Sequence, residues 1–309
     1  MRIAYLLLSH KYPEQLVRLV HRLNTERTSF FVHFDKKSDD RIYHYLAARL
    51  GRLPNVYFLK RQKVYWGDFS QIIVLTKGIE EILSKDILFD YIIFLTGQDY
   101  PIKPNSWIEN TLREHKPNSF IEYFALPDAR WLYNKGGLDR VENWHFRLFG
   151  RRLTFPGRRS FNSRIISLLW SAAVSLLPSK REFPQGFKPF GGSAHWCLSR
   201  ECAEYINDFV KRNHAFVNFF KYVYLPEEIF FQTIILNSFL RSRVINRSLW
   251  HVDWSANQSH PEILRKTDFG ELARSSCLFA RKFDVTEDTD VLDMIDHNLL
   301  SNFGKNQTS

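Results

Sequence analysis

The sequence predicts an α/β fold in which helices flank both faces of a mostly parallel, Rossmann-like sheet. Through the first 125 residues, short apolar runs alternate with amphipathic segments, the order expected when each strand is followed by a helix. The apolar runs are continuous, as they are in strands that are buried on both faces. The 309 residues are 44% apolar and 25% charged, which is typical of a globular protein and excludes a disordered chain.

The elements of this first part follow in order. Residues 3–8 form a continuous apolar run and are the first predicted strand, with further strands at 30–34, 56–59 and 91–95. A helix is predicted after the first strand, where apolar residues recur at helical spacing: Leu16, Leu19, Val20 and Leu23. A second helix is predicted to begin at residues 68–70, with a buried stripe of Ile72, Ile73, Leu75, Ile79 and Ile82.

The pattern weakens from residue 126 and returns near residue 192. We predict a strand at 192–198, a helix at 201–213, a helix at 227–240 entered through Pro226, and a strand at 249–254. The second half of the chain is too irregular to fold alone. We therefore expect one domain over residues 1–300 and a frayed tail at 301–309.

The charge and the cysteines limit the class of protein. The formal net charge is +10, which favours an anionic partner such as a nucleic acid, an anionic lipid headgroup or a phosphorylated small molecule. The sequence contains no recognised nucleic-acid motif, so we expect no nucleic-acid partner. Three cysteines without CxxC spacing indicate neither a disulfide framework nor a zinc site.

Two apolar segments bear on localisation. The N-terminal apolar run is short and lacks a small-residue cleavage site, so we interpret it as a buried strand and not as a signal peptide. Residues 165–177 are the longest apolar stretch and are shorter than the roughly 20 residues that span a bilayer. We expect a cytoplasmic protein. Because arginines precede this stretch, it is either a lid helix or a peripheral contact with an anionic membrane.

Polar residues that follow the predicted strands are the first candidates for a site, because ligands of such sheets lie beyond the carboxyl ends of the strands. Asp35 follows the second strand and either binds the ribose or base of a nucleotide or closes a turn. Asp99 follows the fourth strand and either orients a ligand or caps the helix near Asn105.

Two charged pairs in the second half are further candidates. Glu227 and Glu228 stand at the start of a predicted helix, where the helix dipole favours ionised carboxylates. Such a carboxylate is either a general base toward a hydroxyl or an ordinary first-turn acid. Arg281 and Lys282 lie between apolar residues, where they either bind a diphosphate or belong to a strand with one outward cation.

The sequence predicts no metal site. It has no HExxH motif, and its only DxD, Asp288-Thr289-Asp290, lies in the polar C-terminal region and not after a core strand. A diphosphate leaving group would then need protein cations, for which Arg281 and Lys282 are the candidates.

Together these segments resemble the core-2/I-branching β-1,6-N-acetylglucosaminyltransferases and the peptide O-xylosyltransferases, which form one family of glycosyltransferases. The matching stretches follow the family order over nearly the whole chain. They are Ser9-His10-Lys11, Val32-His33-Phe34-Asp35-Lys36-Lys37, Trp66-Gly67-Asp68-Phe69-Ser70, Leu95-Thr96-Gly97-Gln98-Asp99-Tyr100-Pro101-Ile102-Lys103, Ala129-Arg130, Gly137-Leu138-Asp139-Arg140, Gly192-Ser193-Ala194, Pro226-Glu227-Glu228-Ile229-Phe230-Phe231, Val252-Asp253-Trp254 and Phe279-Ala280-Arg281-Lys282-Phe283.

The resemblance implies a GT-A-like fold with a nucleotide-binding half, 1–125, and an acceptor and catalytic half, 126–300. It implies that Glu228 is the catalytic base, and that Glu227 occupies a variable position. On the nucleotide side it implies roles for Asp35, Trp66, Asp99, Arg281 and Lys282. On the acceptor side it implies roles for Glu122, Arg140, Ser193, His195, Trp196 and Trp254.

The implied activity is inverting, metal-independent transfer of a sugar from a UDP-sugar to a hydroxyl of a glycan or glycolipid, with no cofactor. N-acetylglucosamine is the expected sugar, and xylose is the alternative because residues 66–67 and 129–140 look more like the xylosyl branch. Another alternative is a catalytically silent protein that binds a UDP-sugar or glycan. Vertebrate members carry a membrane anchor and several disulfides, which this chain lacks, so we expect a bacterial-type relative.

Overall fold

The structure, a computed structural model, describes residues 1–131, 135–148, 151–156, 172, 174–256, 258 and 260–301. Its strands in chain order are β1 (Ile3–Ser9), β2 (Thr28–Phe34), β3 (Val56–Phe58), β4 (Tyr91–Thr96), β5 (Tyr100–Pro101), β6 (Ser119–Ile121), β7 (Phe124–Ala125), β8 (Trp144–Leu148), β9 (Arg151–Phe155), β10 (Phe190–Gly191), β11 (Trp196–Ser199), β12 (Val244–Ile245), β13 (Trp250–Val252) and β14 (Phe279–Arg281).

Helices lie between most of these strands. They are α1 (Pro13–Leu23), α2 (Asp40–Leu50), α3 (Ser70–Ser84), α4 (Asn105–His115), α5 (Leu138–Glu142), α6 (Arg200–Arg212), α7 (His214–Phe220), α8 (Phe230–Leu236), α9 (Phe269–Arg274) and α10 (Asp290–Ile295). Short 3-10 turns cover Lys135–Gly137, Pro226–Glu228, Phe239–Arg243 and Lys266–Asp268, and a π turn covers Asp296–Leu300.

The central sheet has seven strands in the order β12-β6-β11-β4-β1-β2-β3. The strands β4, β1, β2 and β3 are mutually parallel, as the alternation of strands and helices predicts. Strand β11 lies antiparallel between β4 and β6. The prediction of an α/β fold with a mostly parallel sheet flanked by helices is therefore confirmed.

The side chains of β1 point alternately to the two faces of the sheet, which explains why residues 3–8 are all apolar. Ala4, Leu6 and Leu8 pack into a core on one face of the sheet, together with apolar residues of α3, α6 and α8. The residues between them, such as Tyr5 and Leu7, pack into a second core on the other face with α1, α2 and α4. Because both faces are covered, each residue of this strand is buried.

Three of the predicted elements differ from the structure. The expected helix over 227–240 is a 3-10 turn, Pro226–Glu228, followed by the shorter α8, because Ile229 between them has a non-helical φ of −132°. The expected strand over 192–198 begins only at Trp196, after a loop that follows β10. The expected strand over 249–254 is limited to Trp250–Val252.

A second, three-stranded sheet with the order β13-β14-β5 lies beside the carboxyl ends of the central strands. The chain reverses after β4, and Ile102 N donates to Leu278 O at 2.9 Å while Phe283 N donates to Gln98 O at 2.9 Å. These bonds attach both ends of β14 to the segment that follows β4. The position of Arg281 is therefore fixed relative to the main sheet.

A buried carboxylate attaches the C-terminal segment to the body of the protein. Asp296 is 4% exposed and accepts hydrogen bonds from Arg18 Nη2 at 2.6 Å and Tyr100 OH at 2.9 Å, and it pairs with Arg22 Nε at 2.7 Å. These contacts join the π turn after α10 to α1 and β5.

We expect Asp296→Asn to lower the free energy of unfolding by about 1–3 kcal/mol, because the two arginines lose a charged partner that is removed from water. Urea denaturation measures the loss. Asp293→Asn is the matched control: Asp293 pairs with the same Arg18 at 2.6 Å, but its side chain is 59% exposed. The interpretation is wrong if the two variants lose the same amount.

Within the residues described, no helix is both long and apolar enough to cross a bilayer. Most of the apolar stretch 165–177, and the arginines that precede it at 158, 159 and 164, lie outside the described residues. The lid helix and the membrane contact therefore both stay predictions.

Candidate active site

The carboxyl ends of β1 and β2 meet at one edge of the sheet. Asp35 N donates to Ser9 O at 2.9 Å, which joins the ends of the two strands. The loop after β1 carries His10 and Lys11, and the loop after β2 carries Lys37. The topology therefore brings three basic or titratable side chains from separate segments to the edge where ligands of such sheets lie.

Lys11, Lys37 and Lys282 lie within electrostatic range of His10, and Arg281 lies within range of Lys282; we call these four residues the cation cluster. Burial and then the charge of Lys11 lower the pKa of His10, and Lys37 and Lys282 lower it further. Burial, followed by the charges of Lys11 and Arg281, also lowers the pKa of Lys282. The cluster repels its own members, so it favours an anionic ligand.

Three carboxylates offset part of this charge. Lys11 lies 3.7 Å from Asp284, which also accepts a hydrogen bond from the Tyr12 hydroxyl, and Lys37 lies 3.5 Å from Asp35. The third, Asp99, pairs with Arg281. For Lys282 no ion pair is found among the described residues, so its ammonium group is available to a ligand at this edge.

Asp99 is the residue that orients Arg281. It is fully buried, and its Oδ1 accepts from Arg281 Nε at 3.0 Å, while its Oδ2 contacts His195 Nε2 at 3.2 Å and accepts from Thr96 N at 2.6 Å. Burial opposes its charge, but His195 and Arg281 keep the pKa of Asp99 below its usual range. Among the described residues, Asp99 is bound through Nε and no partner of the two Nη groups of Arg281 is found, so these groups remain for a ligand.

This geometry contradicts the helix-cap interpretation of Asp99 and leaves an indirect role in orienting a ligand. It does not cap the helix near Asn105, because α4 begins after Pro104 with no side-chain cap. It also offers no surface to a ligand, since it is 0% exposed. Any part that it plays in nucleotide binding is exerted through Arg281.

Glu228 and Arg140 form an ion pair beside this edge. Arg140 Nη1 donates to Glu228 Oε2 at 2.5 Å, and the guanidinium of Arg140 lies 3.6 Å from the centre of the Trp131 ring. Burial raises the pKa of Glu228, whereas the charges of Arg140 and Arg281 oppose that rise. Glu228 thus lies within electrostatic range of Arg281, and a shared site for the candidate base and the cation cluster stays a prediction.

Glu227, the neighbour of Glu228, lies in a different environment. Its side chain is 4% exposed, and its Oε2 has no hydrogen-bond partner among the described residues. Burial and then the charge of Glu228 raise the pKa of Glu227 to about 8. The two acids of the turn are therefore not equivalent.

The backbone beside Glu228 is closely packed at Gly192. Gly192 N donates to Glu228 O at 2.9 Å. A Cβ atom at Gly192 would lie 1.9 Å from the carbonyl oxygen of Glu122, so only glycine fits between the two backbone segments. This contact places the backbone of Glu122 and the turn that carries Glu228 on either side of the same glycine.

Two of the expected acceptor-side residues belong to the interior instead. Trp196 is 0% exposed and contacts Phe94 and Phe231 in the core, so a role in acceptor binding would have to be indirect and stays a prediction. His195 is 6% exposed, stacks on Phe94 at 5.3 Å and contacts Asp99, and its acceptor role likewise stays a prediction.

The other candidates lie nearer the surface. Trp254 is 52% exposed after β13, and Trp66 is 61% exposed and makes an edge contact with Tyr224 at 5.9 Å. Ser193 Oγ accepts from His195 N at 3.2 Å, which closes the loop before β11. These positions are consistent with ligand contact, and the roles stay predictions.

Asp35 occupies a turn within the chain. Its Oδ1 accepts from Lys37 N at 2.8 Å, the geometry of an Asx turn, and the residue is 5% exposed. These contacts show that Asp35 closes a turn, whereas its contact with a nucleoside stays a prediction.

The carboxylates of the DxD segment are already engaged. Asp288 accepts from Lys266 N at 2.9 Å and from Val291 N at 3.1 Å, and Asp290 pairs with Lys266 Nζ at 3.1 Å. In the part of the chain that the structure describes, no group of three or more His, Cys, Asp or Glu is arranged to hold a metal ion.

The sequence analysis assigned no role to four members of the site. His10 and Lys11 belong to a motif quoted above and follow a predicted strand, so their position was the available signal. Trp131 carried no such signal, because its contact with Arg140 depends on the path of the chain after β7. Glu227 was left as a variable position without a role.

Comparison with known proteins identifies the class and then the family. The chain is 26% identical to human xylosyltransferase 2 over 331 aligned residues, which cover 98% of this chain and 34% of that protein. It is 25% identical to human xylosyltransferase 1, over 98% of this chain and 31% of that protein. The chain thus spans about a third of the length of these curated relatives.

Among solved structures, mouse xyloside xylosyltransferase 1 in its apo form aligns with 90% of this chain and 97% of its own length. Its identity is 11%, and the TM-score is 0.38.

The names of these curated relatives are those of glycosyltransferases, the enzyme class that the sequence analysis expected. The profile of the Core-2/I-Branching enzyme family matches residues 3–273, and the chain belongs to that family. The matched range includes Glu228 and ends before Arg281 and Lys282.

Proposed function

We propose that this protein transfers a sugar from a UDP-sugar to a hydroxyl of a glycan, with inversion and without a metal ion. The observation that carries the proposal is that one partly buried carboxylate, Glu228, lies within electrostatic range of Arg281, a member of the cation cluster. Membership in the Core-2/I-Branching enzyme family supports the reaction class.

On the donor side, the cation cluster is suited to a diphosphate. Arg281 offers two Nη groups in a fixed orientation, because Asp99 holds its Nε at 3.0 Å, and Lys282 adds a point charge. As the bond between the anomeric carbon and the phosphate oxygen breaks, these cations stabilise the charge that accumulates on UDP.

On the acceptor side, Glu228 removes the proton of the attacking hydroxyl. The oxygen of that hydroxyl forms the new bond to the anomeric carbon from the side opposite to UDP, so the configuration inverts. Arg140 holds Oε2 of Glu228 at 2.5 Å, which fixes the carboxylate and leaves Oε1 for the proton.

Two donors remain as candidates. The sequence analysis expected N-acetylglucosamine, whereas the relatives with the names given above are xylosyltransferases, which favours the xylosyl alternative. Ala194 argues against the xylosyl alternative, because xylosyltransferases of the family that the sequence resembles have an acidic residue at this position.

The test is to incubate the protein with UDP-N-acetylglucosamine or UDP-xylose, with and without glycan acceptors, and to follow UDP release and product mass. We expect one donor to turn over, an inverted anomeric configuration by NMR, and no loss of turnover with a chelator. Loss on chelation would contradict the metal-free mechanism. Binding of UDP without any turnover would support the catalytically silent alternative.

A further inference from the structure

We propose that Glu227 is protonated at neutral pH, so that Glu228 is the one ionised carboxyl of the pair. Both residues lie in the 3-10 turn Pro226–Glu228. Glu227 is the more buried of the two, and its Oε2 lacks a hydrogen-bond partner among the described residues. A charge at that atom would be neither hydrated nor paired, which strongly disfavours the ionised form.

The groups that face Glu227 do not compensate a negative charge. They are Glu228, Asp68, the Tyr224 phenol and Arg140. Among the described residues, Arg140 is the cation whose charge lowers the pKa of Glu227, and its Nη1 is bound to Glu228 at 2.5 Å while its guanidinium covers Trp131. Arg152 of β9 lies 3.4 Å from the centre of the Tyr224 ring, and its charge opposes the rise in the pKa of that phenol. Asp68 adds a second negative charge and is itself paired with Arg147 at 3.2 Å.

One cation between two carboxyl groups supports one negative charge. The pKa of Glu227, raised to about 8 by burial and by the charge of Glu228, agrees with this arrangement. Two adjacent carboxyls titrate as a pair, so the first proton leaves from the group that Arg140 holds. Glu227 thus keeps the second proton and leaves Glu228 as the base.

A consequence for the reaction follows, and it rests on the proposed function. When Glu227 loses its proton to solvent at alkaline pH, two carboxylates compete for Arg140, and the orientation of Glu228 is no longer fixed. We expect turnover by the wild type to fall as the pH rises through about 8. Glu227→Gln mimics the neutral carboxyl, so its pH profile should lack this alkaline loss.

Infrared difference spectroscopy tests the proton directly and needs no activity. We expect a protonated-carboxyl C=O band at pH 7 that Glu227→Gln removes and that the exposed control Glu26→Gln leaves unchanged. In Glu228→Gln the band should titrate at a lower pH, because a neighbouring negative charge has been removed. A wild-type spectrum at pH 7 without a band that depends on Glu227 would overturn the proposal.

Thermal unfolding against pH gives an independent measure. The pKa of Glu227 in the folded protein, about 8, is above the value of about 4.3 for an unfolded glutamate. Its protonated form therefore contributes stability fully below pH 4.3, and that contribution is lost as the pH rises to 8. The Tm of Glu227→Gln should exceed that of the wild type by a margin that grows from pH 5 to pH 8, whereas parallel curves would contradict the proposal.

The outcomes separate this proposal from the proposed function. If the wild type turns over no UDP-sugar, the infrared and unfolding experiments still decide the state of Glu227. If turnover is found but Glu227→Gln retains the full alkaline loss, the loss belongs to another group and the role given to Glu227 is wrong.

Discussion

Replacing Glu228 by glutamine should lower the turnover of the UDP-sugar by about 10²–10⁴, the usual contribution of a general base. Gln is isosteric with Glu and still accepts the hydrogen bond that Arg140 Nη1 makes at 2.5 Å. The geometry of the turn should therefore survive while the proton acceptor is lost. Initial rates of UDP release in the presence of acceptor measure the effect.

Binding of UDP separates this result from unfolding. Isothermal titration should give the same Kd for Glu228→Gln as for the wild type, because the base contacts the acceptor hydroxyl and not the diphosphate. Glu26→Gln, an exposed residue far along the chain, controls for loss of one negative charge. Turnover of Glu228→Gln equal to that of the wild type would remove Glu228 from the mechanism.

The second large effect is expected for the double variant Arg281→Ala/Lys282→Ala, in which UDP should bind about a hundredfold more weakly. The estimate takes about 1.5 kcal/mol for each charge-assisted hydrogen bond to the diphosphate. The binding that remains should also depend less on salt, because fewer charges face the ligand. Titration of UDP at two ionic strengths measures both quantities.

The matched control removes two cations from another surface. Arg265 and Lys266 are exposed and pair with Glu287 at 3.2 Å and Asp290 at 3.1 Å. Arg265→Ala/Lys266→Ala changes the net charge by the same amount and should leave the Kd for UDP near that of the wild type. Equal weakening of UDP binding in both double variants would mean that the effect comes from the change in net charge and not from contact with UDP.

Lys282→Ala alone keeps the test meaningful if the double variant is unstable. Loss of Arg281 deprives the buried Asp99 of a charged partner, which is destabilising. No ion pair of Lys282 is found in the described part of the chain, so its removal should not affect folding and should still weaken UDP binding about tenfold. Unchanged binding by this variant would contradict the role of Lys282.

The parallel part of the fold was predictable from sequence because its strands are buried on both faces. Residues 3–8 are apolar without interruption, and β1 is an interior strand of the sheet, between β4 and β2, as that pattern predicts. The hairpin of β8 and β9 was not found, because basic and aromatic residues alternate there and no apolar face is evident.

The residue types of the site were predictable, but their pairing was not. Glu228 and Arg140 are 88 residues apart, and nothing local in the sequence indicates that they touch. The burial of Trp196 was not predictable, because an aromatic residue in the core and one in a sugar-binding cleft have the same identity. Glu227 was named with Glu228, but the difference between them was not predictable, because only packing distinguishes a buried carboxyl from an exposed one beside it.

Gly192 restricts how this enzyme can diversify. With a Cβ only 1.9 Å from the Glu122 oxygen, any larger side chain would force apart the segments on either side of it, one of which bears Glu228. Substitution of the exposed Trp66 or Trp254 requires no such movement of the backbone, whereas any substitution at position 192 does. We therefore expect related proteins to retain glycine at position 192 even where their substrate specificity differs.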